Sequence, residues 1–211
     1  MYTPQSLYKL KSEKILQYFN RIHEGGTRQL ELLNDLLDLS KLEAGKVIYN
    51  FSVNNIMEVI NEQVAQHEAL AEAKHLKFII TNKTQKPVAF FDSNKIAQVI
   101  RNLLSNAIKF ADSNTDIRIR VHPHKIHKNN SDLDALAIEV SDTGISIPPG
   151  ELEHIFDKFV QSSKTNTGAG GTGLGLSICF EIIEAHRGKI WAESDGKSMT
   201  SFTFCLPVSE T

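Results

Sequence analysis

Residues Gly168-Ala169-Gly170-Gly171-Thr172-Gly173-Leu174-Gly175 place five glycines in eight positions and run straight into a segment patterned as a helix. That feature narrows the fold most. Glycines let consecutive backbone N–H groups curl round an anion, and a helix N-terminus adds partial positive charge. The stretch contains a literal G-x-G-x-x-G at 168, 170 and 173. A dinucleotide fingerprint needs a strand directly before its glycines, and here QSSKTNT, polar throughout, precedes them. The phosphate-loop pattern fails as well, because Gly196-Lys197-Ser198 has Trp191 where the leading glycine belongs. A loop covering phosphates ahead of a helix is the better reading. A bare linker fits poorly with so abrupt a helix start.

Along the chain, apolar residues recur at helical spacing from about Lys14 to Glu43, with Gly45 suited to the left-handed position that ends a helix. Such a face needs burial, and a partner helix is the natural candidate. Residues 52–73 read as a helix with Ser52 as N-cap, and 76–81 and 87–92 read as strands. Asp92 or Ser93 caps a helix reaching about Phe110. Strands are expected at 116–122 and 135–142, a short helix after Pro148-Pro149, a helix at 175–187, and two closing strands in GKIWAES and SFTFCLP. The stretch HPHKIH (122–127) reads as a solvated hairpin loop rather than a metal site, because it lacks cysteine or carboxylate support. Together these predict a mixed sheet covered by helices on one face, preceded by a separate helical piece.

Two further constellations carry chemistry. On the helix at 94–110, Asn102 and Asn106 share a face and Lys109 follows one turn later. Carboxamide oxygens can ligate Mg²⁺, which is held by few protein ligands, and a lysine beside them can pair with phosphate. A solvated polar face would look the same. Asp142-Thr143-Gly144-Ile145 ends an apolar strand. The aspartate can accept a hydrogen bond from an exocyclic amine, and Gly144 permits close approach of a ligand to the backbone.

In order and spacing these elements resemble the N, G1 and G2 boxes of the histidine kinase ATP-binding domain, and Phe156-Asp157-Lys158-Phe159 fits the intervening F box. The resemblance covers roughly residues 50–207. It implies the Bergerat (GHKL) fold, a two-layer α/β sandwich with a mixed sheet, which gyrase, heat-shock-90 and mismatch-repair ATPases share. It also implies that Asp142 reads the adenine amino group beside Gly144, that Asn106 ligates Mg²⁺ with help from Asn102, and that Lys109 contacts phosphate. Gly171, Gly173 and Gly175 would form a mobile lid, with Ile147, Phe159, Thr172 and Leu174 among the ATP contacts. Where family members often read Gly-Ser-Thr-Phe, this chain has Met199-Thr200-Ser201-Phe202, so no role passes to Thr200 or Ser201. The hydrolases of the fold carry a glutamate where Asn102 stands. An asparagine cannot take a proton from water, which favours transfer of the γ-phosphate to another nucleophile.

None of the eight histidines sits in an acceptor motif like H-E-x-R/T-x-P, and His23-Glu24-Gly25-Gly26-Thr27 lacks its proline. LLNDLLDLSKLEAGK resembles the end of the second helix of the dimerisation hairpin, which puts the acceptor helix upstream of residue 1. The expected division is a partial dimerisation and phosphotransfer segment at 1–46 and a catalytic ATP-binding domain at 47–211. The implied partners are a histidine-bearing dimerisation domain and a response-regulator receiver domain, with a homodimer in the full-length protein. Self-phosphorylation of this chain is not expected. Net charge of -2 gives no reason to expect nucleic acid, and no apolar run is long enough to span a bilayer. Cys179 and Cys205 lie in apolar contexts and read as buried thiols of a reduced, cytoplasmic protein. Two other readings stay open: a Bergerat-fold ATPase, and a nucleotide-binding regulatory module.

Overall fold

The structure, a computed structural model, describes residues 4–128, 131–165 and 172–209. Helix α1 (Pro4–Glu43) runs unbroken through Gly25-Gly26 and starts ten residues earlier than the apolar periodicity suggests. Strand β1 (Ser52–Asn55) follows, then α2 (Ile56–Glu72), β2 (Lys77–Asn82), β3 (Val88–Phe91) and α3 (Ser93–Phe110). Next come β4 (Asp116–Lys128), β5 (Ser131–Thr143), a 3-10 turn at Pro149–Glu151, α4 (Gly175–Ala185), β6 (Lys189–Ser194) and β7 (Met199–Pro207). No described helix is long and apolar enough to cross a membrane.

Five strands form one mixed sheet in the order β2-β4-β5-β7-β6, with β2 and β4 parallel and the other pairs antiparallel. Alternation along each strand sends Ile117, Ile119, Ile138, Val140 and Phe204 into the main core, where α2, α3 and α4 cover them. Helix α3 is the central cover. Asp92 caps it by accepting from the Lys95 amide at 3.1 Å, and Ile96, Val99, Ile100, Leu103, Leu104 and Ala107 bury one stripe at spacings of three and four. Burying that stripe fixes the rotation of the helix and turns Asn102, Asn106 and Lys109 away from the core. The two-layer α/β sandwich expected from the sequence is the fold observed.

Three expectations are corrected. Ser52 does not cap a helix: residues 52–55 pair with β3, Val53 opposite Phe90, and Asn55 is the cap, accepting from the Met57 amide at 3.0 Å. Pairing with a distant strand outweighs local helix preference there. HPHKIH is not a loop either, since it lies within β4 and is in register with residues 132–137 of β5. Ile126 is buried with Ala135, Ala137 and Cys205 in a small cluster separate from the main core, and the His124 ring lies 5.6 Å from that of Trp191. The helix expected after Pro148-Pro149 is only the 3-10 turn.

The C-terminal part of α1 docks on this body. Leu39 is buried, Gln98 donates to Asp38 at 3.0 Å, and Lys158 pairs with Glu43. The opposite face, with Leu30, Leu33, Leu36 and Leu37, stays exposed.

Candidate functional site

The polar face of α3 opens into a cavity of about 510 Å³ whose lining includes Asn102, Asn106, Lys109, Asp142, Ile147 and Thr200. Thr172, Gly173 and Gly175 line it from the turn that leads into α4. Residues from three separate motifs of the sequence therefore meet in one site.

Asn102 donates its amide to the Gly175 carbonyl at 3.1 Å, tying α3 to the first residue of α4. A Cβ added at Gly175 would stand 3.6 Å from that amide nitrogen, an ordinary contact, so the hydrogen bond does not depend on the glycine. With its nitrogen so committed, Asn102 has its oxygen left to offer a cation. The Lys109 ammonium sits 4.8 Å from the Phe110 ring centroid, and burial lowers its pKa. A partly desolvated lysine gains strongly from an anion brought beside it.

Asp142 is 6% exposed and its Oδ1 has no hydrogen-bond partner among the described residues. Burial, followed by the charge of Asp112, pushes its carboxyl up to about 7. Buried polar atoms are nearly always paired. An unpaired acceptor on a cavity wall suits a ligand that brings an N–H donor.

Gly144 turns out to be required for a different reason from the one its motif suggests. A Cβ there would lie 2.1 Å from the Phe110 carbonyl oxygen and 2.8 Å from Ala111 Cα. The close approach is made by the end of α3, which bridges to Gly144 through Ala111. Gly144 itself does not line the cavity, nor does Leu174, which is fully buried. Phe159 is not brought to the site either. The residue is 61% exposed and its φ is 62°, and its amide donates to the Gly173 carbonyl at 3.0 Å. Phe156 alone behaves as a packed aromatic, against Phe180 and Phe202. Gly171 lies outside the described residues.

Several lining residues escaped sequence reasoning. Thr200 is buried directly opposite Asp142 in the β5–β7 register. His67 reaches the cavity from α2, its Nδ1 donating to the Gln63 carbonyl at 2.8 Å. Asn34 and Asp35 reach it from α1, where Asp35 accepts from the Thr172 hydroxyl at 2.8 Å. A strand register could have suggested Thr200. No local signal points to the others.

The family model for the histidine kinase-, DNA gyrase B- and HSP90-like ATPase matches residues 91–210, more than half of the chain. The chain belongs to this ATPase family. Within the family it is similar to the sensor protein kinase WalK of Staphylococcus aureus, 36% identical over 192 residues that make up 90% of this chain and 44% of that protein. It is also similar to the catalytic domain of histidine kinase ThkA, with a TM-score of 0.63 and 29% identity over 76% of this chain and 99% of that domain. A ThkA structure in complex with the response regulator TrrA matches 99% of this chain and 53% of its own, with a TM-score of 0.68 and 26% identity. The chain thus spans less than half the length of its curated relative WalK.

Proposed function

We propose that this chain binds Mg·ATP and donates the γ-phosphate to a histidine on the dimerisation domain of a two-component sensor kinase. The observation that carries the reading is one cavity that joins a buried, unpartnered carboxylate oxygen of Asp142 to the Asn102, Asn106 and Lys109 face of α3. Asp142 would accept from the adenine amino group, with Ile147 and Thr200 packing around the base. Lys109 would pair with phosphate. Gly173 and Gly175, with Thr172 between α1 and α4, would line the triphosphate path. The donor set fits Mg²⁺: two carboxamide oxygens, neutral and hard, leave the remaining positions to phosphate and water. Asn106 and Asn102 would hold the ion, which when bound neutralises charge on the phosphates.

Transfer rather than hydrolysis follows from α3. It carries no acidic residue, so α3 itself offers no base to deprotonate water. Positioning and charge neutralisation remain for the protein to supply. The acceptor lies on another segment. His23 is exposed on α1 and does not line the cavity. Residues 1–46 would serve as part of the dimerisation and phosphotransfer unit and 47–211 as the catalytic domain. The exposed leucines of α1 would pack in a homodimeric helical bundle, and a receiver domain would take the phosphate onward.

Two assays test this. Titration with ATP in the presence and absence of Mg²⁺ should show Mg-dependent binding. Incubation with labelled ATP and a separately made histidine-bearing hairpin domain should move label to the hairpin and leave this chain unlabelled. Tight Mg·ATP binding without transfer would favour a nucleotide-binding regulatory module, and rapid phosphate release would favour an ATPase.

A further inference from the structure

The sheet order β2-β4-β5-β7-β6 leaves β2 at an edge, bonded on one side only. The Lys77 and Lys83 amides donate to the Thr115 and Val121 carbonyls at 3.3 and 2.7 Å, so the odd-numbered residues of this strand face β4. Backbone groups of a strand alternate sides, which turns the N–H and C=O groups of Phe78, Ile80 and Asn82 to the open edge. Open edges are usually blunted by a proline, a bulge or a charge along the strand. KFIITN pairs with β4 without a bulge, contains no proline, and carries its single charge, Lys77, at its first position. The opposite edge, β6, has Lys189 and Glu193 exposed along its length.

Beside this edge a groove of about 820 Å³ runs between β2 and α2, and no residue lines both it and the cavity on α3. Its apolar surface comes from Val64, Phe78 and Ile80, which pack on the main core yet stay only partly buried. Glu68 and Glu72 stand on its α2 wall one turn apart, both exposed. Like charges at that spacing repel, and neither glutamate is ion-paired among the described residues. We infer that the β2 edge and this groove dock an extended segment of a partner protein, one with apolar residues at alternate positions and a lysine or arginine among them. Such a segment adds a strand to the sheet by bonding to Phe78, Ile80 and Asn82. Its alternate side chains then fall on the α2 side, where the apolar ones meet Val64, Phe78 and Ile80 and the basic one meets Glu68 and Glu72. A second copy of this chain is a poor occupant. Two β2 edges paired about a two-fold axis would set one pair of glutamates facing the other, and like charges across an interface oppose association.

The test uses the full chain and fluorescent peptides long enough to span β2. One peptide has valine and lysine at alternate positions with threonine between them; the other has glutamate in place of lysine. Fluorescence anisotropy should show saturable binding of the lysine peptide, with the glutamate peptide about tenfold weaker or worse. In a chain carrying both Glu68→Lys and Glu72→Lys this preference should reverse. The backbone is probed on the peptide, which leaves the protein intact. N-methylation of one alternate set of its amides should abolish binding, and methylation of the other set should leave it unchanged, because only one set faces β2. Asn82→Pro, at an edge position where proline is tolerated, should also weaken the lysine peptide about tenfold, with a circular-dichroism melting curve to show that the variant is folded. No binding of either peptide overturns the inference, as does equal binding of the two by the native chain. A preference that survives charge reversal, or binding that withstands methylation of either set, overturns it too. A native chain that dimerises in sedimentation and becomes monomeric with Asn82→Pro would give the edge to a second copy and refute the partner proposed.

Discussion

Replacing Asp142 with asparagine sets stability against binding, and the structure fixes the sign of each. In the folded chain burial holds the Asp142 carboxyl at about 7, against about 4 for an unhindered side chain. The native state therefore keeps a proton that the unfolded chain has released over that range. A raised carboxyl value means stability falls as pH climbs from about 4 to about 7, with the full loss present above it. The gap corresponds to about 4 kcal/mol as a ceiling. Asparagine carries no charge but still buries an oxygen whose hydrogen bond is unmade, so the gain at pH 8 should be smaller, about 1–3 kcal/mol. Urea unfolding of the nucleotide-free protein at pH 5 and pH 8 measures this directly. The native chain should lose stability between the two, and Asp142→Asn should lose about 1–3 kcal/mol less. The same variant should bind ATP about ten- to a hundredfold more weakly, having exchanged a charged acceptor for a neutral amide. A variant less stable than the native chain at pH 8, or one with an unchanged pH slope, would refute the claim that this carboxylate is held at a cost for a ligand.

Two other substitutions probe the site and its frame. Asn102→Glu adds a base at the γ-phosphate end of α3 while removing the donor to Gly175; phosphate release should rise severalfold in a coupled assay, and an unchanged rate would argue against the hydrolase comparison. Gly144→Ala drives a methyl group into the Phe110 carbonyl, and thermal unfolding should show a loss of about 1–3 kcal/mol even without nucleotide.

Much of the site was legible in one dimension. The α3 stripe of Val99, Leu103 and Ala107 repeats with the helical period, so the opposite placement of Asn102 and Asn106 follows from consecutive residues alone. Asp142 at the end of an apolar alternation was equally visible. Which F-box phenylalanine packs was not legible: Phe159 takes a φ of 62° and stays exposed, while Phe156, one turn earlier, packs against Phe202.

The sequence by itself determined the helix faces, the strand alternation, the glycines ahead of α4 and the absence of a carboxylate on α3, because each is a property of residues within a turn or two of one another. Tertiary structure decided what required distant segments to meet. It made Ser52–Asn55 a strand by giving it β3 as a partner. It set Thr200 across from Asp142, and it made Gly144 indispensable to the end of α3. It also brought Asp35 to Thr172 across 137 positions of chain. Local periodicity fixes which way a side chain points from its own element. Only the packing of whole elements, each turned by the apolar surface it buries, decides what that side chain meets.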